Sequence, residues 1–271
     1  MNIASKTLIV TGAGNGIGRE LTLQLLALGA RVAGLDINEE ALAETRRLAG
    51  EQADGLSTHT VNIADKDAVI AVVDEIRQQH GQIDGIINNA GIIQPFIRVK
   101  NLDQATIERV MNINFYGPLN LIQATLPDLL ERPQAHILNV SSMGGFFPVP
   151  GQVVYGASKA ALKLLTEGLY AELVDTNVGV TVVFPGAIMT NITENSGVKR
   201  DGEDAANPPK GAPKGTMPAD AARQMIEAIE SNRPRVFIGK DSRFMDRFYR
   251  LAPVRATRFM QKQMQKFIKL D

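Results

Sequence analysis

"TGAGNGIG", Thr11 to Gly18, closes the short apolar run "TLIVTG" (7–12) and opens an amphipathic pattern carried by Leu21, Leu25 and Leu28. Glycines at 12, 14, 16 and 18 let the backbone turn tightly and approach a ligand closely. A helix starting there presents free N–H groups and the positive end of its dipole to a pyrophosphate. The turn is not the G-x-G-x-x-G fingerprint, because position 17 is Ile and position 19 is Arg. The next apolar run, "RVAGLD", ends at Asp36. An acid at the end of a second strand accepts hydrogen bonds from both adenosine ribose hydroxyls and repels a 2′-phosphate. Ile37, Asn38 and Glu39 follow it without a cation, so the pattern favours NAD(H) over NADP(H).

Outward from that turn the same alternation continues. Further apolar runs are "LSTHTVNI" (56–63), "IDGIINNAG" (83–91), "HILNVSS" (136–142), "GVTVVFPG" (179–186) and "RVFIG" (235–239), with helical patterns such as Val69, Val72, Val73 and Ile76 between them. Strands alternating with helices predict βαβ units and a parallel sheet, and near-continuous Val/Ile/Leu content suits strands covered on both faces. The expectation is an α/β, doubly wound, seven-stranded parallel sheet with helices on both faces, forming one domain over residues 1–240. Two segments depart from the pattern. Residues 191–217 are polar and rich in Gly, Pro and Lys, which predicts a lid loop, and residues 241–271 form a basic amphipathic extension.

Composition narrows the function classes. The 271 residues carry 44% hydrophobic and 21% charged side chains and a formal charge of +0, which gives no general pull toward nucleic acid. The absence of cysteine excludes disulfides and thiolate chemistry and fits a reducing, cytoplasmic compartment. The N-terminus lacks the apolar core of a signal peptide, and no run approaches the roughly 18 apolar residues of a membrane span. His59, His80 and His136 have no ligand spacing and read as surface or strand-end residues, so no metal site is expected. Asp84, just before the fourth strand's apolar core, reads as structural.

"YGASK", residues 155 to 159, places Tyr155 one helical turn before Lys159. A phenol's ordinary pKa of about 10 makes it a poor base at neutral pH. A cation about 4 Å away contributes roughly 4 kcal/mol at an effective dielectric near 20, enough to bring the phenol toward 7.

With these residues in place, the chain resembles a short-chain dehydrogenase/reductase. Thr11-Gly12-x-x-x-Gly16-x-Gly18, "NNAG" (Asn88 to Gly91), Asn114 in "NFYG", Ser142, Tyr155, Lys159, Pro185-Gly186 and Thr190 match that family's motifs in order. The resemblance implies a Rossmann-type fold and reversible hydride transfer between nicotinamide and an alcohol or carbonyl carbon. It implies Asn114, Ser142, Tyr155 and Lys159 as the catalytic set: Tyr155 as acid and base, Ser142 on the substrate oxygen, Asn114 holding a relay water. It implies cofactor contacts at Gly12, Asn15, Gly16, Ile17, Gly18, Asp36, Asn62, Ile63, Asn89, Ala90, Gly91, Tyr155, Lys159, Pro185, Gly186, Ile188 and Thr190. Asn62 stands where the family usually has Asp, and an amide can still bond adenine. It implies a homodimer or homotetramer built on helices at 103–130 and 155–174.

Apolar residues near the motifs, Ile92, Ile93, Phe96, Phe146, Phe147, Val149 and Met189, are candidate pocket walls and suggest a lipophilic secondary alcohol or ketone. Other readings stay open: a non-catalytic NAD-binding sensor or scaffold, or another reductase or epimerase on the same fold. The extension holds eight Lys/Arg against three Asp, with stripes at Phe244, Phe248, Leu251 and at Met260, Met264, Phe267, Ile268. It reads as a lid, a subunit interface, or a peripheral contact with an anionic membrane.

Overall fold

The computed structural model describes residues 1–190, 192–198 and 215–265. The expected architecture is present: one seven-stranded parallel sheet in the order β3-β2-β1-β4-β5-β6-β7. The strands are β1 Thr7–Thr11, β2 Arg31–Asp36, β3 Leu56–Thr60, β4 Gly85–Asn88, β5 Ala135–Val140, β6 Val178–Pro185 and β7 Arg235–Ile238. The helices are α1 Gly16–Ala27, α2 Glu39–Ala49, α3 Lys66–His80, α4 Gln104–Met111, α5 Gly117–Glu131, α6 Val153–Leu173, α7 Ile192–Asn195, α8 Pro218–Glu230, α9 Lys240–Leu251 and α10 Pro253–Met264.

β1 shows why the apolar runs are unbroken. Its residues are all buried, with Leu8 and Val10 packing toward α1 and α8, and Ile9 toward α3, α5 and α6. A strand covered on both faces has no polar side to alternate with. At the opposite end of the sheet from the glycine turn, the fully buried Asp84 carboxylate accepts from Thr7 N at 2.9 Å, Arg132 Nε at 2.9 Å and Gln82 Nε2 at 3.1 Å. Lys6 Nζ lies 3.5 Å away. These donors compensate its desolvation and tie the starts of β1 and β4 to the end of α5. Asp84 is therefore structural, as expected.

The chain order reverses between β1 and β4, so their carboxyl ends splay apart. Ligands of open α/β sheets bind in that crevice. Two local features feed it. Asn15 caps α1 by accepting from Gly16 N at 2.7 Å. Between α4 and α5, residues Asn112–Tyr116 form one π-helical turn, a local widening often found at functional sites. The helical stretch expected over 103–130 is thus two helices joined by a distorted turn that carries Asn114.

Candidate active site

A cavity of about 1150 Å³ runs along the carboxyl edge of the sheet. One end is lined by Asp36, Ile37, Asn62 and Ile63, the middle by Gly12, Asn15, Gly16 and Ile17, and the far end by Ser142, Tyr155 and Lys159. Asn89, Ala90, Gly91, Pro185, Gly186, Ile188 and Thr190 also border it. Gly18 and Asn114 do not. Gly18 is buried behind the turn, where a Cβ would collide with the Gly12 carbonyl. Its role is to close the turn rather than to touch a ligand.

Sequence and contacts fix each wall. Thr11 Oγ1 accepts from Asn89 N and Ala90 N, both at 3.0 Å, and Asn89 Nδ2 donates to Thr11 O at 3.0 Å. The end of β4 is thereby pinned to the end of β1. Asp36 accepts from Gly14 N at 2.9 Å and Asn38 N at 3.0 Å, one bond on each carboxylate oxygen. Each oxygen keeps the capacity to accept a further bond, and Asp36 lines the cavity. Gly12 and Gly16 have φ of +70° and +53°, a region that favours glycine. A Cβ on Gly16 would come within 3.3 Å of Thr190 Cγ2, so the glycine turn and the segment after β6 face each other closely. A groove joining a helix N-terminus, an acid at the β2 end and a Tyr–Lys pair fits an extended dinucleotide along its length.

At the far end, Asn114 and Lys159 meet beside Gly91: a Cβ there would lie 3.0 Å from Lys159 Nζ and 3.2 Å from Asn114 Oδ1. Asn114 is a clamp. Its Oδ1 accepts from Ile92 N at 2.9 Å, and its Nδ2 donates to Ile92 O at 2.9 Å and Ser158 Oγ at 3.0 Å. Lys159 Nζ donates to Val140 O at 2.9 Å. Burial pulls its ammonium down to about 8. Ser142 accepts from Gly144 N at 3.1 Å and hydrogen-bonds the Tyr155 phenol.

The electrostatics correct the expectation for Tyr155. Burial raises its pKa above the ordinary phenol value, and the Ser142 bond only partly opposes that. Desolvation penalises the phenolate, while Lys159, lowered to about 8, stays mostly protonated at neutral pH. The protein alone thus favours the protonated phenol, a proton donor.

Several expectations about the substrate end also change. Ile92, Ile93, Phe96 and Val149 line the cavity, but Phe146, Phe147 and Met189 do not. Phe146 packs edge-on against Phe184 and Phe237, Phe147 is buried against Tyr249, and Met189 points to the surface. The apolar character of the "GGFF" segment (144–147) served the core beneath α9. The described part of the expected lid does border the cavity, through Ile192, Thr193 and Asn195, and Ser196 Oγ accepts from Ile93 N at 2.9 Å. Positions 191 and 199–214 of that lid lie outside the described residues.

The extension turns back onto the protein. Met245 and Ala256 are buried with Phe147, and Phe248, Tyr249 and Met260 pack around them, while Met264 reaches the cavity. The buried stripe is rotated from the expected one: Phe244 and Leu251 are 58% and 86% exposed. Lys266, Phe267, Ile268 and Lys269 fall outside the described residues.

Two residues of α9 were missed altogether. Asp241 Oδ2 accepts from Ala187 N at 2.7 Å, and Ser242 Oγ donates to Phe184 O at 2.8 Å. A Cβ on Gly186 or Gly239 would overlap the Asp241 carboxylate. The first turn of α9 therefore shapes the segment after β6 that borders the cavity. The signal was faint: an Asp-Ser pair just after a strand reads as a helix start.

The histidines lie near element ends, as expected, but are more buried than surface residues. His136 is buried within β5, with its ring bonded to Thr181 Oγ1 at 2.8 Å. His59 and His80 are half-buried and share the Ser57 hydroxyl at 3.0 and 2.8 Å. Among the described residues no His, Cys, Asp or Glu group could hold a metal ion.

Comparison with known proteins agrees with this geometry. A family model described as short chain dehydrogenase matches residues 6–201. The chain is 33% identical over 249 residues to the putative oxidoreductase SadH of Mycobacterium tuberculosis, covering 89% of this chain and 88% of that one. A short chain dehydrogenase/reductase from Burkholderia phymatum in complex with NAD superimposes with a TM-score of 0.81 at 23% identity, covering 93% and 96% of the two chains. A short chain dehydrogenase from Burkholderia cenocepacia in complex with NADP gives 0.79 at 26% identity, covering 96% and 99%.

Proposed function

Since the chain belongs to the short-chain dehydrogenase/reductase family and is an oxidoreductase acting between CH–OH and C=O groups, we propose that it interconverts a lipophilic secondary alcohol and its ketone with NAD(H), using Tyr155 as general acid and base. The observation that supports this most is the single cavity that joins Asp36 at one end to Ser142, Tyr155 and Lys159 at the other. A bound nicotinamide supplies or takes the hydride at the carbinol carbon. The substrate oxygen would sit between Ser142 and Tyr155. Ser142 orients it, and the Tyr155 phenol gives it a proton as the carbonyl carbon is reduced. In the other direction Tyr155 takes that proton. Lys159, held by Val140 O, keeps a positive charge close to the forming phenolate. Ile92, Ile93, Phe96 and Val149 would enclose the apolar body of the substrate.

The test is Tyr155→Phe, assayed by NADH absorbance against a panel of ketones and alcohols. Turnover should fall at least a hundredfold while NADH binding stays nearly intact, because only the hydroxyl is removed. A variant keeping more than about a tenth of the wild-type rate would rule out the acid/base role.

We further propose that the chain forms homo-oligomers through the α5–α6 face, where Tyr116, Leu164, Tyr170 and Val174 are exposed. The outer face of the extension supports a second contact. Phe244, Leu251 and Val254 are exposed there beside Arg247, Arg250 and Arg255, a pairing suited to an anionic membrane surface.

A further inference from the structure

One wall of the cavity comes from α10, which lies beyond residue 201, where the family match ends. The helix carries Ala256, Met260 and Met264 at steps of four, so the three share one face. Ala256 is fully buried with Phe147 and Met245. Met260, one turn on, packs against the same cluster, as do Met143 and Val149. Met264, one turn further, lines the cavity.

Met143 and Val149 tie that stripe to the catalytic end, because both also line the cavity. Met143 directly follows Ser142, and Val149 lies between Ser142 and the helix that carries Tyr155. Asp36 and Asn62, at the other end of the groove, have no part in the cluster. A helix rises about 1.5 Å per residue, so the stripe travels about 12 Å from the core at Ala256 to the cavity at Met264. Met264 is half-buried, which leaves surface for a ligand to cover. An unbranched thioether side chain adapts to an apolar neighbour, which suits a wall met by the tail of a substrate.

We propose that Met264 is a specificity-determining residue: it forms the far wall of the substrate end and sets the length of apolar body the cavity accepts. The inference rests on the alcohol–ketone reading above and refines it. The substrate is an extended lipophilic alcohol or ketone whose tail runs from Ser142 and Tyr155, past Met143 and Val149, to α10. A smaller wall residue lengthens that slot and a larger one shortens it, so substitutions in opposite directions should move the preference in opposite directions.

The experiment measures kcat/KM of the full-length protein with NADH for straight-chain ketones from 2-pentanone to 2-tridecanone. In the wild type each added methylene should raise kcat/KM about fourfold, the effect of burying one CH₂, up to the length at which the tail meets α10. Beyond that length the rise should stop. Met264→Ala should move the break to ketones about two carbons longer, and Met264→Trp to shorter ones, whatever the absolute rates. A residue that only supports the fold would lower every ketone alike. NADH binding and circular dichroism check that each variant is folded. The chain has no tryptophan, so Met264→Trp also adds one fluorophore at the wall. With NAD⁺ bound a ketone can bind without reacting, and the longest ketone this variant turns over should shift that emission. No break in the wild type, a break that stays at one length in both variants or moves the same way in both, or an emission that no such ketone shifts overturns the proposal alone. No turnover of any ketone by the wild type sinks the alcohol–ketone reading, and this proposal with it.

Discussion

At the scale of single residues, the proposed preference for NAD(H) turns on Asp36. Its carboxylate is held by Gly14 N and Asn38 N, so it cannot swing away from an incoming 2′-phosphate. Arg19 is close by, but its guanidinium is engaged with Gly14 O at 2.5 Å and Thr45 Oγ1 at 3.1 Å. The wild type should therefore use NADH at least tenfold better than NADPH in kcat/KM. The double variant Asp36→Ala, Ile37→Arg should weaken or reverse that ratio. Tighter binding of NADPH than NADH by the unmodified protein would refute the role given to Asp36. His136 supports a different prediction, about stability. Thr181 Oγ1 donates to Arg233 O at 2.7 Å, so His136 Nε2 must be the donor in its bond to Thr181. Burial lowers its pKa to about 3, so the ring is neutral in the folded protein near neutral pH. The unfolded chain, with an ordinary value near 6.5, binds the proton first as pH falls. Stability contributed by the neutral ring is complete above about 6.5 and declines between there and 3. This one group should cost about 2 kcal/mol between pH 7 and pH 5. Urea unfolding of His136→Gln should show a pH 7-to-5 loss smaller by that amount. An unchanged loss would show that His136 is not the acid-sensitive group.

Elements were legible where burial on both faces imposed an unbroken apolar run. β1 and β2 need nothing beyond their own residues to be placed, because each is covered by helices and bounded by Gly, Asp or polar turns. The motif residues were legible for another reason: taken together and in order they resemble a known family's motifs, whereas the Tyr–Lys pair alone decides nothing. What stayed hidden depends on distant partners. Nothing near Gln94 in sequence says that its side chain caps α6, some 60 residues away. Nothing in "GGFF" says that its phenylalanines serve α9 rather than the pocket. The desolvation that raises the Tyr155 pKa depends on the assembled cavity, whereas the Tyr–Lys spacing is local. Asp241 is the case with the clearest consequence. Because it bonds Ala187 N, the first turn of α9 belongs to the cofactor edge. Asp241→Ala should weaken NADH binding by roughly tenfold, the scale of one charge-assisted bond. Asp241→Asn, which keeps an acceptor oxygen, should recover most of the loss. Equal weakening in both variants would point to helix capping or fold damage instead, and circular dichroism would separate those two.

At the scale of the whole molecule, the charge is divided. The extension carries a net charge of +5 in a chain whose formal total is +0, so the body over residues 1–240 is negative. The inner side of α9 and α10 is occupied by Phe147, Met143 and Val149, which leaves the outer side for a partner. No described helix is long and apolar enough to cross a membrane, so a bilayer contact would be a surface contact. Near an anionic surface each cation contributes on the order of 1 kcal/mol, and salt screens it. Truncation after Lys240 cannot test this, because it would also remove the Asp241 and Ser242 bonds at the cofactor edge. The substitutions have to be made on the exposed face: Phe244→Ser, Leu251→Ser and Val254→Ser in the full chain. Wild type should pellet with vesicles rich in phosphatidylserine at low salt, release above about 0.5 M salt, and ignore neutral vesicles. The triple variant should pellet less while keeping its NADH affinity. Light scattering of the same samples without lipid reports the other exposed patch. The oligomer proposed for the α5–α6 face should be present in the wild type and unchanged in the triple variant, since Tyr116, Leu164, Tyr170 and Val174 are untouched; a monomer in both would refute it. If the substitutions instead break the oligomer and vesicles never bind, the outer face of the extension is a subunit interface, and the membrane reading fails.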